Sequence, residues 1–304
     1  MTAKELVLGT ANLGMAYGTA IKRHEPDHAF SQLILGKAME AGITRLDSAA
    51  AYGNSEDRIG DFIAALNDGS LLCASTKTPP YSEAMGQAID ALVTKDIETS
   101  CQKLRLRRLP QVLLHRWCNY AQDDGLIWAC LQKLKAAGKI GVLGASVQSP
   151  AEMQEALKTA DVEAIQLACN LLDWRYDEAP YRHALIQSNK RIEVRSVFLQ
   201  GLLTLDERVV FPTTPDPYDE GQVRAFLKQA ADRLAGGDLI ELCLRFARGL
   251  EWADAIVVGA DSPAQIEQLV SIWNKGPFSV EDMNWIRASR PRLPVSFLDP
   301  AKWS

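Results

Sequence analysis

Short apolar runs, many of them rich in β-branched residues, alternate along this chain with longer segments in which apolar residues recur at helical spacing. Runs of the first kind are typical of strands buried in a parallel sheet, and segments of the second kind are typical of the helices that connect such strands. The pattern predicts eight strands, near Glu5–Gly9, Ile43–Asp47, Leu71–Thr76, Gln111–His115, Ile140–Ala145, Ala164–Ala168, Glu193–Val197 and Ala255–Gly259. It predicts helices over Ala29–Ala41, Glu56–Leu66, Met85–Leu104, Asp124–Ala137, Pro150–Lys158, Tyr181–Ser188, Gln222–Leu234, Leu239–Gly249 and Pro263–Trp273.

This alternation favours an α/β fold in which the strands close into a single (β/α)8 TIM barrel, rather than an open doubly wound sheet. No linker interrupts the alternation, so we expect one domain over residues 1–304. The proline-rich segment Thr204–Gly221 is too long and irregular for an ordinary barrel connection and predicts a long loop after strand 7. Residues Gly276–Ser304 predict an added helix and a C-terminal extension that wraps the barrel.

Composition narrows the class of partner. The formal net charge is -5, and acidic and basic residues are interspersed without a long basic run. This favours a small-molecule partner over nucleic acid or an anionic membrane surface. No apolar run approaches the roughly 20 residues needed to cross a bilayer, and the N-terminus lacks the apolar segment of a signal peptide, so we expect a cytoplasmic protein. Nothing in the pattern indicates the oligomeric state.

The cysteines and histidines predict no bound metal. The six cysteines are scattered without paired CxxC spacing, which is typical of free thiols in a reducing compartment. The four histidines include one close pair, His24 and His28, which we place at the start of the first long helix. They otherwise lack the spacing of metal ligands.

Four titratable residues follow three neighbouring predicted strands. Asp47 ends the second strand and Tyr52 follows it after a short turn, while Lys77 and His115 end the third and fourth strands. Taken singly, these residues have ordinary explanations as a helix cap, a packed ring, a solvated cation and a core imidazole. In a barrel of this kind, however, side chains at the carboxyl ends of the strands converge and carry the chemistry. Together the four residues therefore indicate a catalytic group.

Successive sequence blocks then resemble one enzyme family. The opening LGTANLGMAYG is followed by GITRLDSAAAYGNSEDRIG, TKTPP, LLHRW, GKIGVLGAS, IQLACNLLD, FLQGLLT and VVGADSPAQIEQL. In this order, and over nearly the whole chain, these blocks resemble the aldo-keto reductase family. The resemblance implies that Asp47, Tyr52, Lys77 and His115 correspond to the family's catalytic tetrad, with Asp and Tyr at the family's spacing of five.

The chemistry of carbonyl reduction accounts for these four residue types. Hydride delivered to a carbonyl carbon builds negative charge on the oxygen, so an acid must stand within hydrogen-bond reach of that oxygen. Tyr52 is the expected proton donor. A free phenol has a pKa of about 10. An ammonium about 4 Å away stabilises the phenolate by up to about 4 kcal/mol at an effective dielectric near 20, and this lowers the pKa of the phenol. We expect Lys77 to act in this way, Asp47 to hold Lys77 and offset part of the shift, and His115 to orient the carbonyl or help donate to it.

The same resemblance implies a set of cofactor-binding residues. It places the nicotinamide carboxamide against Ser146 and Gln166. The other residues that it assigns to the cofactor are Gly9, Thr10, Arg195, Ser196, Gly201, Gly259, Asp261, Ser262 and Gln265. The family usually has asparagine after the serine, whereas this chain has Val147, so one amide hydrogen bond is missing.

Two further positions depart from the family. Arg195 occupies the place of an aromatic residue that stacks on the nicotinamide; its planar guanidinium can stack there, or it can turn away and pair with a carboxylate. Asp261 occupies a place where related sequences favour basic residues for the 2′-phosphate of NADPH, although Ser262 begins a helix N-terminus suited to that phosphate. NADP(H) is the cofactor that the family implies, and NAD(H) is the alternative that Asp261 favours.

The sequence therefore predicts an NAD(P)H-dependent oxidoreductase that interconverts a carbonyl compound, such as an aldehyde, a ketone or a sugar derivative, and an alcohol. We expect Tyr17, Trp117, Trp174 and Tyr176, with the Thr204–Gly221 loop and the tail, to frame the substrate pocket. One alternative is a cofactor-binding barrel with little turnover that serves as a redox-sensing or regulatory subunit, which Val147 and Arg195 favour. A non-redox barrel isomerase or lyase is a second alternative.

Overall fold

The computed structural model describes residues 4–18, 24–66, 72–81, 88–204 and 209–303. Within these ranges eight parallel strands close into one barrel in chain order, with β8 returning to pair with β1. The strands are β1 (Glu5–Gly9), β2 (Arg45–Asp47), β3 (Cys73–Lys77), β4 (Leu109–Leu114), β5 (Ile140–Val147), β6 (Ala164–Ala168), β7 (Arg191–Arg195) and β8 (Ala255–Gly259). The predicted (β/α)8 barrel is confirmed.

Helices lie between the strands and after the last one. They are α1 (Ala11–Gly14), α2 (His28–Glu40), α3 (Ser55–Ala65), α4 (Ile89–Lys103), α5 (Leu126–Ala136), α6 (Pro150–Lys158), α7 (Tyr181–Ile186), α8 (Glu220–Leu234), α9 (Leu239–Arg248), α10 (Pro263–Asn274), α11 (Val280–Ser289) and α12 (Val295–Leu298). Helices α6 and α10 begin as predicted, since Ser149 and Ser262 cap them and a proline occupies the first turn of each. Among the described residues, no helix combines the length and apolar character needed to cross a bilayer.

The predicted bounds of β7 are wrong by two residues at each end. The strand was expected over Glu193–Val197 but begins at Arg191 and ends before Ser196, whose φ of 61° breaks the extended backbone. Ile192 and Val194 pack into the apolar core, while the alternate charged positions face the barrel interior. Those charges obscured the start of the strand, because a strand in a parallel sheet is usually apolar on both faces.

Two other predicted bounds cannot be compared with the structure. Leu71, the predicted start of the third strand, and Met85, the predicted start of the fourth helix, lie outside the described residues. The six cysteines are free, and Cys130, Cys169 and Cys243 are buried, as expected for thiols that pack as small apolar side chains.

The loop after β7 packs against the C-terminal extension. A 3-10 segment over Leu199–Thr204 follows β7, and helix α8 begins only at Glu220. The Tyr218 ring lies 4.6 Å from the Phe297 ring of α12, centroid to centroid, and Ser296 Oγ donates to Asp216 at 2.8 Å. The expected long loop and wrapping tail are therefore present, and they stabilise one another through these contacts.

Candidate active site

Two glycines in close contact set the position of the turn that carries Tyr52. Gly53 has a φ of 55°, in the left-handed region that favours glycine, and a Cβ there would lie 2.2 Å from Gly14 O. A Cβ on Gly14 would lie 2.1 Å from Tyr52 O, while Asn54 N donates to Gly14 O at 2.9 Å. Larger side chains at either glycine would push the two loops apart and move Tyr52.

The Lys77 ammonium is enclosed by acceptors at the carboxyl ends of β2 and β3. Its Nζ donates to both carboxylate oxygens of Asp47 and to Ser48 O, each at 2.8 Å. Both side chains are almost completely buried. Burial disfavours the ammonium, but the Asp47 carboxylate, together with Tyr52, outweighs burial and raises the pKa of Lys77. Lys77 is therefore a permanently charged group beside Tyr52, with Nζ 5.1 Å from the centre of the Tyr52 ring.

His115 also lies close to Tyr52, with the two ring centroids 6.2 Å apart at an interplanar angle of 86°. Burial, and then the positive charge of Lys77, lowers the pKa of His115 to about 4. Its Nδ1 is 3.1 Å from Thr78 O, and because a carbonyl oxygen can only accept, Nδ1 must carry the proton. In the neutral ring Nε2 is then a hydrogen-bond acceptor, and the expectation that His115 helps to donate to a carbonyl stays a prediction.

A cavity opens beside these residues, at the carboxyl ends of the strands. Gly9 and Gly259 are partners in the β1–β8 register, and both line this cavity. The predicted site residues that line the cavity are Gly9, Thr10, Asp47, Tyr52, Arg195, Ser196, Gly201, Gly259, Asp261 and Gln265. The structure thus brings ten residues of the predicted site to one cavity.

The other predicted residues lie outside the lining. Lys77 and Gln166 are one layer deeper, and each donates to Asp47. Ser146 is buried opposite Gln166 in the β5–β6 register, whereas the neighbouring Val147 packs into the apolar core and offers no polar group. Ser262 Oγ is occupied as the cap of α10, where it accepts from Gln265 N at 3.3 Å.

Gln166 has one buried oxygen without a hydrogen-bond partner. Its Nε2 donates to Asp47 Oδ1 at 2.8 Å and to Glu193 Oε2 at 3.3 Å. Its Oε1 is buried and accepts no hydrogen bond from the described residues. Leaving a buried acceptor unpaired costs about 1–3 kcal/mol. A ligand with an N–H donor aimed at Oε1 would remove that cost.

Arg195 is the cation among the described residues that line the cavity. Its guanidinium donates to Gln148 Oε1 at 2.9 Å and to Ser196 Oγ at 3.3 Å. A neutral amide therefore holds it in place, rather than the carboxylate of one of the two alternatives. Whether the guanidinium stacks on a nicotinamide stays a prediction.

Asp261 faces the cavity at the start of α10. Asn12 Nδ2 donates to Asp261 Oδ1 at 3.0 Å, and Asp261 N donates to Gln265 Oε1 at 2.7 Å. The sequence prediction missed Asn12, although its place just after β1, in the opening block, could have revealed it. The hydrogen bond between Asn12 and Asp261 fixes a carboxylate in the wall of the cavity. Asp261 follows β8, which is separated by β1 from the strand that carries Asp47.

The aromatic residues expected around the pocket divide into two groups. Tyr17 lines the cavity, and burial, followed by the neighbouring Tyr52, raises its pKa. Trp117 instead stacks on Tyr120 with centroids 4.7 Å apart, and the fully buried Tyr176 packs against Trp252. Neither ring lines this cavity, and each packs against another aromatic ring, so their part in framing a substrate pocket stays a prediction.

Trp174, which was expected in the same frame, also lies outside the lining. Its Nε1 donates to Leu293 O at 3.1 Å, and the Arg292 guanidinium lies 4.6 Å from its ring centre. These contacts attach Trp174 to the C-terminal extension. Tyr17 therefore joins Tyr52 in the cavity wall. Its hydroxyl accepts a hydrogen bond from Gln200 Nε2 at 3.3 Å.

Known proteins resemble this chain in both sequence and fold. The chain is 26% identical over 279 residues to aldo-keto reductase YhdN from Bacillus subtilis (strain 168), which covers 85% of this chain and 83% of that protein. Its fold matches aldo-keto reductase AKR11C1 from Bacillus halodurans in the holo form, with a TM-score of 0.75, 21% identity and coverage of 95% and 93% of the two chains. It also matches the glycerol dehydrogenase AKR11B4 from Gluconobacter oxydans, with a TM-score of 0.73, 22% identity and coverage of 97% and 94%.

The family model named Aldo/keto reductase family matches residues 5–290, which includes all eight strands and the whole cavity. The chain therefore belongs to the aldo/keto reductase family, whose members are oxidoreductases that interconvert small carbonyl compounds and alcohols.

Proposed function

We propose that this protein uses a nicotinamide cofactor to interconvert a carbonyl compound and an alcohol by hydride transfer, with Tyr52 as the general acid. One observation carries the proposal: Tyr52 lines the cavity and lies close to both the Lys77 ammonium and the His115 ring. Tyr52 belongs to the cavity lining, where its hydroxyl can meet a ligand oxygen. This arrangement suits proton donation to an oxygen that gains negative charge.

Each residue has a distinct task in this proposal. Lys77, fixed by Asp47 and Ser48, supplies a positive charge that stabilises the phenolate formed when Tyr52 gives up its proton. Asp47 is a positioning residue, because its contacts are to Lys77 and Gln166. The neutral His115 offers Nε2 as an acceptor, so it orients the hydroxyl of an alcohol, while Tyr52 alone donates to a carbonyl oxygen.

The residues present fit a nicotinamide cofactor, which supplies or accepts the hydride when it is bound. Gln166 Oε1 is the unpaired buried acceptor that a carboxamide N–H would satisfy, with Ser146 beside it. Gly9 and Gly259 present backbone without side chains in the lining, and Arg195 supplies a positive charge there. NADP(H) is the cofactor we propose from the family, with NAD(H) as the alternative favoured by Asp261.

The proposal is tested by mixing purified protein with NADPH or NADH and a panel of aliphatic, aromatic and sugar-derived aldehydes and ketones. We expect the near-ultraviolet absorbance of the reduced nicotinamide to fall with at least one carbonyl compound and not in its absence. Tight cofactor binding without turnover across the panel would instead support the alternative of a redox-sensing or regulatory subunit.

A further inference from the structure

The side-chain amide of Gln166 lies between two carboxylates. Its Nε2 donates to Asp47 Oδ1 at 2.8 Å on one side and to Glu193 Oε2 at 3.3 Å on the other. A primary amide has two N–H donors, so both are used. Rotating the amide by half a turn would bring Oε1 against both carboxylates, which is repulsive in a buried site. The two carboxylates therefore fix which way the amide faces.

Glu193 is itself held in place from the closed end of the barrel. Its Oε1 accepts from Arg191 Nε at 2.9 Å and from Gln111 Nε2 at 3.1 Å, and Arg45 Nη2 lies 3.8 Å away. Arg45 also donates to Gln111 Oε1 at 3.3 Å, which fixes the Gln111 amide in turn. Glu193 is 2% exposed, so these contacts leave it little freedom.

A chain of hydrogen bonds thus runs through the barrel interior from the Arg191 guanidinium group, through Glu193 and Gln166, to Asp47 and Lys77. The members of this chain satisfy one another, with one exception. Gln166 Oε1 is buried and unpaired. It faces away from Asp47 and Glu193 because Nε2 of the same amide donates to both carboxylates. A paired, rigid network that leaves a single acceptor open is arranged to receive a donor from a ligand.

We propose that Glu193 is a positioning residue that, with Asp47, turns the Gln166 amide so that the cofactor pocket selects a ligand bearing a primary amide N–H. This inference rests on the proposed function, in which that ligand is the nicotinamide carboxamide. It adds a residue from the interior of the barrel that does not line the cavity and acts through Gln166 alone.

Glu5 offers a matched control within the same ion cluster. Its Oε2 accepts from Arg191 Nη2 at 2.7 Å and lies 3.1 Å from Arg45 Nε, so it contacts the same two guanidinium groups as Glu193. Its described hydrogen bonds and ion pairs do not include Gln166. A purely structural role of this cluster predicts similar effects from losing either carboxylate, whereas a positioning role predicts that only Glu193 affects ligand selection.

The experiment compares two ligands in the purified native protein and in the variants Glu193→Gln and Glu5→Gln. The ligands are NADP⁺ and its analogue with an acetyl group in place of the carboxamide, which keeps the carbonyl acceptor but lacks the N–H donors. Dissociation constants are measured by quenching of tryptophan fluorescence, and circular dichroism confirms the fold of each variant. We expect the native protein to bind NADP⁺ about tenfold more tightly than the analogue, the scale of one net hydrogen bond.

Glu193→Gln should reduce the preference for NADP⁺ over the analogue to about threefold or less, because an amide at this position no longer repels Gln166 Oε1. Glu5→Gln should keep the preference near tenfold. If Glu193→Gln does not fold, Glu193→Asp keeps the charge but withdraws it by one methylene group and should give an intermediate ratio. An unchanged ratio in a folded Glu193 variant, or equal losses in the Glu193 and Glu5 variants, would overturn the inference alone. Failure of the native protein to bind either nucleotide would overturn the proposed function as well.

Discussion

The two ends of the cavity hold their carboxylates in different ways. At the Tyr52 end, Asp47 ends strand β2, is 3% exposed, and is paired with a buried lysine from the adjacent strand. At the other end, Asp261 lies in the turn before α10, is partly exposed, and is held by the neutral amide of Asn12. Strand register fixes the first site, whereas a helix-capping turn fixes the second. Under the proposed function, proton donation and cofactor preference would therefore be set separately, and substitutions should alter them separately.

Replacing Tyr52 with Phe is expected to have the largest effect and to damage only the first end. Removing the phenolic proton should reduce turnover by about 10²-fold or more, the usual scale for general acid catalysis. Cofactor dissociation constants should stay within a few-fold of native, because the Asp261 end is untouched. Steady-state kinetics and fluorescence titration measure the two effects in the same preparation, and near-native turnover in the folded variant would remove Tyr52 from its assigned role.

Replacing Asp261 with Arg should alter only the second end. A carboxylate within about 4 Å of the extra phosphate of NADPH costs about 1–4 kcal/mol, depending on the water between them. Asp261→Arg should therefore tighten NADPH by about tenfold or more, leave NADH within a few-fold, and lose part of the gain at high salt. Asp261→Asn is the control for charge removal alone and should give a smaller change in the same direction. Equal changes for both cofactors would show that Asp261 does not set the preference.

A third expected effect concerns neither turnover nor cofactor binding but the pH dependence of stability at the Tyr52 end. The pKa of His115 is about 4 in the folded protein, below the value of about 6.5 for an unfolded chain. Between these values the unfolded chain binds a proton that the folded protein does not, so the free energy of unfolding falls as pH drops from about 6.5 towards 4. The loss is at most about 3 kcal/mol and is reduced by solvent screening of the partly exposed ring.

Urea denaturation of native protein, His115→Gln and the exposed-site control His183→Gln over this pH range measures that loss. The His115 variant should lose less stability on acidification than native protein, and the His183 variant should follow native protein. Parallel curves for native protein and His115→Gln would contradict the depressed pKa.

The sequence predicted the strands best where they are apolar. The bounds of β6 and β8 were correct, and the tetrad residues were assigned to the correct strand ends, because parallel strands bring their carboxyl ends to one face. The bounds of β7 were wrong because its inward positions, Arg191, Glu193 and Arg195, are charged. Alternation of charged and branched residues in RIEVR was the available signal, but it is also typical of a strand that is half exposed to solvent.

The orientation of individual polar groups could not be predicted from the sequence. The Gln166 amide faces one way because Asp47 and Glu193, on β2 and β7, accept its two N–H groups. The His115 ring offers Nε2 as an acceptor because Thr78 O occupies Nδ1. Both outcomes depend on partners brought together by barrel closure, and sequence spacing does not encode which atom of an amide or imidazole meets which partner.

Transfer of isotopically labelled hydride tests the central claim most directly. NADPH or NADH deuterated at the ring carbon that carries the hydride is incubated with native protein and a carbonyl compound that supports turnover. Mass spectrometry and NMR of the alcohol should show deuterium on the former carbonyl carbon, and Tyr52→Phe should form this product at least about 10²-fold more slowly. An unlabelled alcohol, or cofactor binding without any alcohol product across the carbonyl panel, would contradict the account.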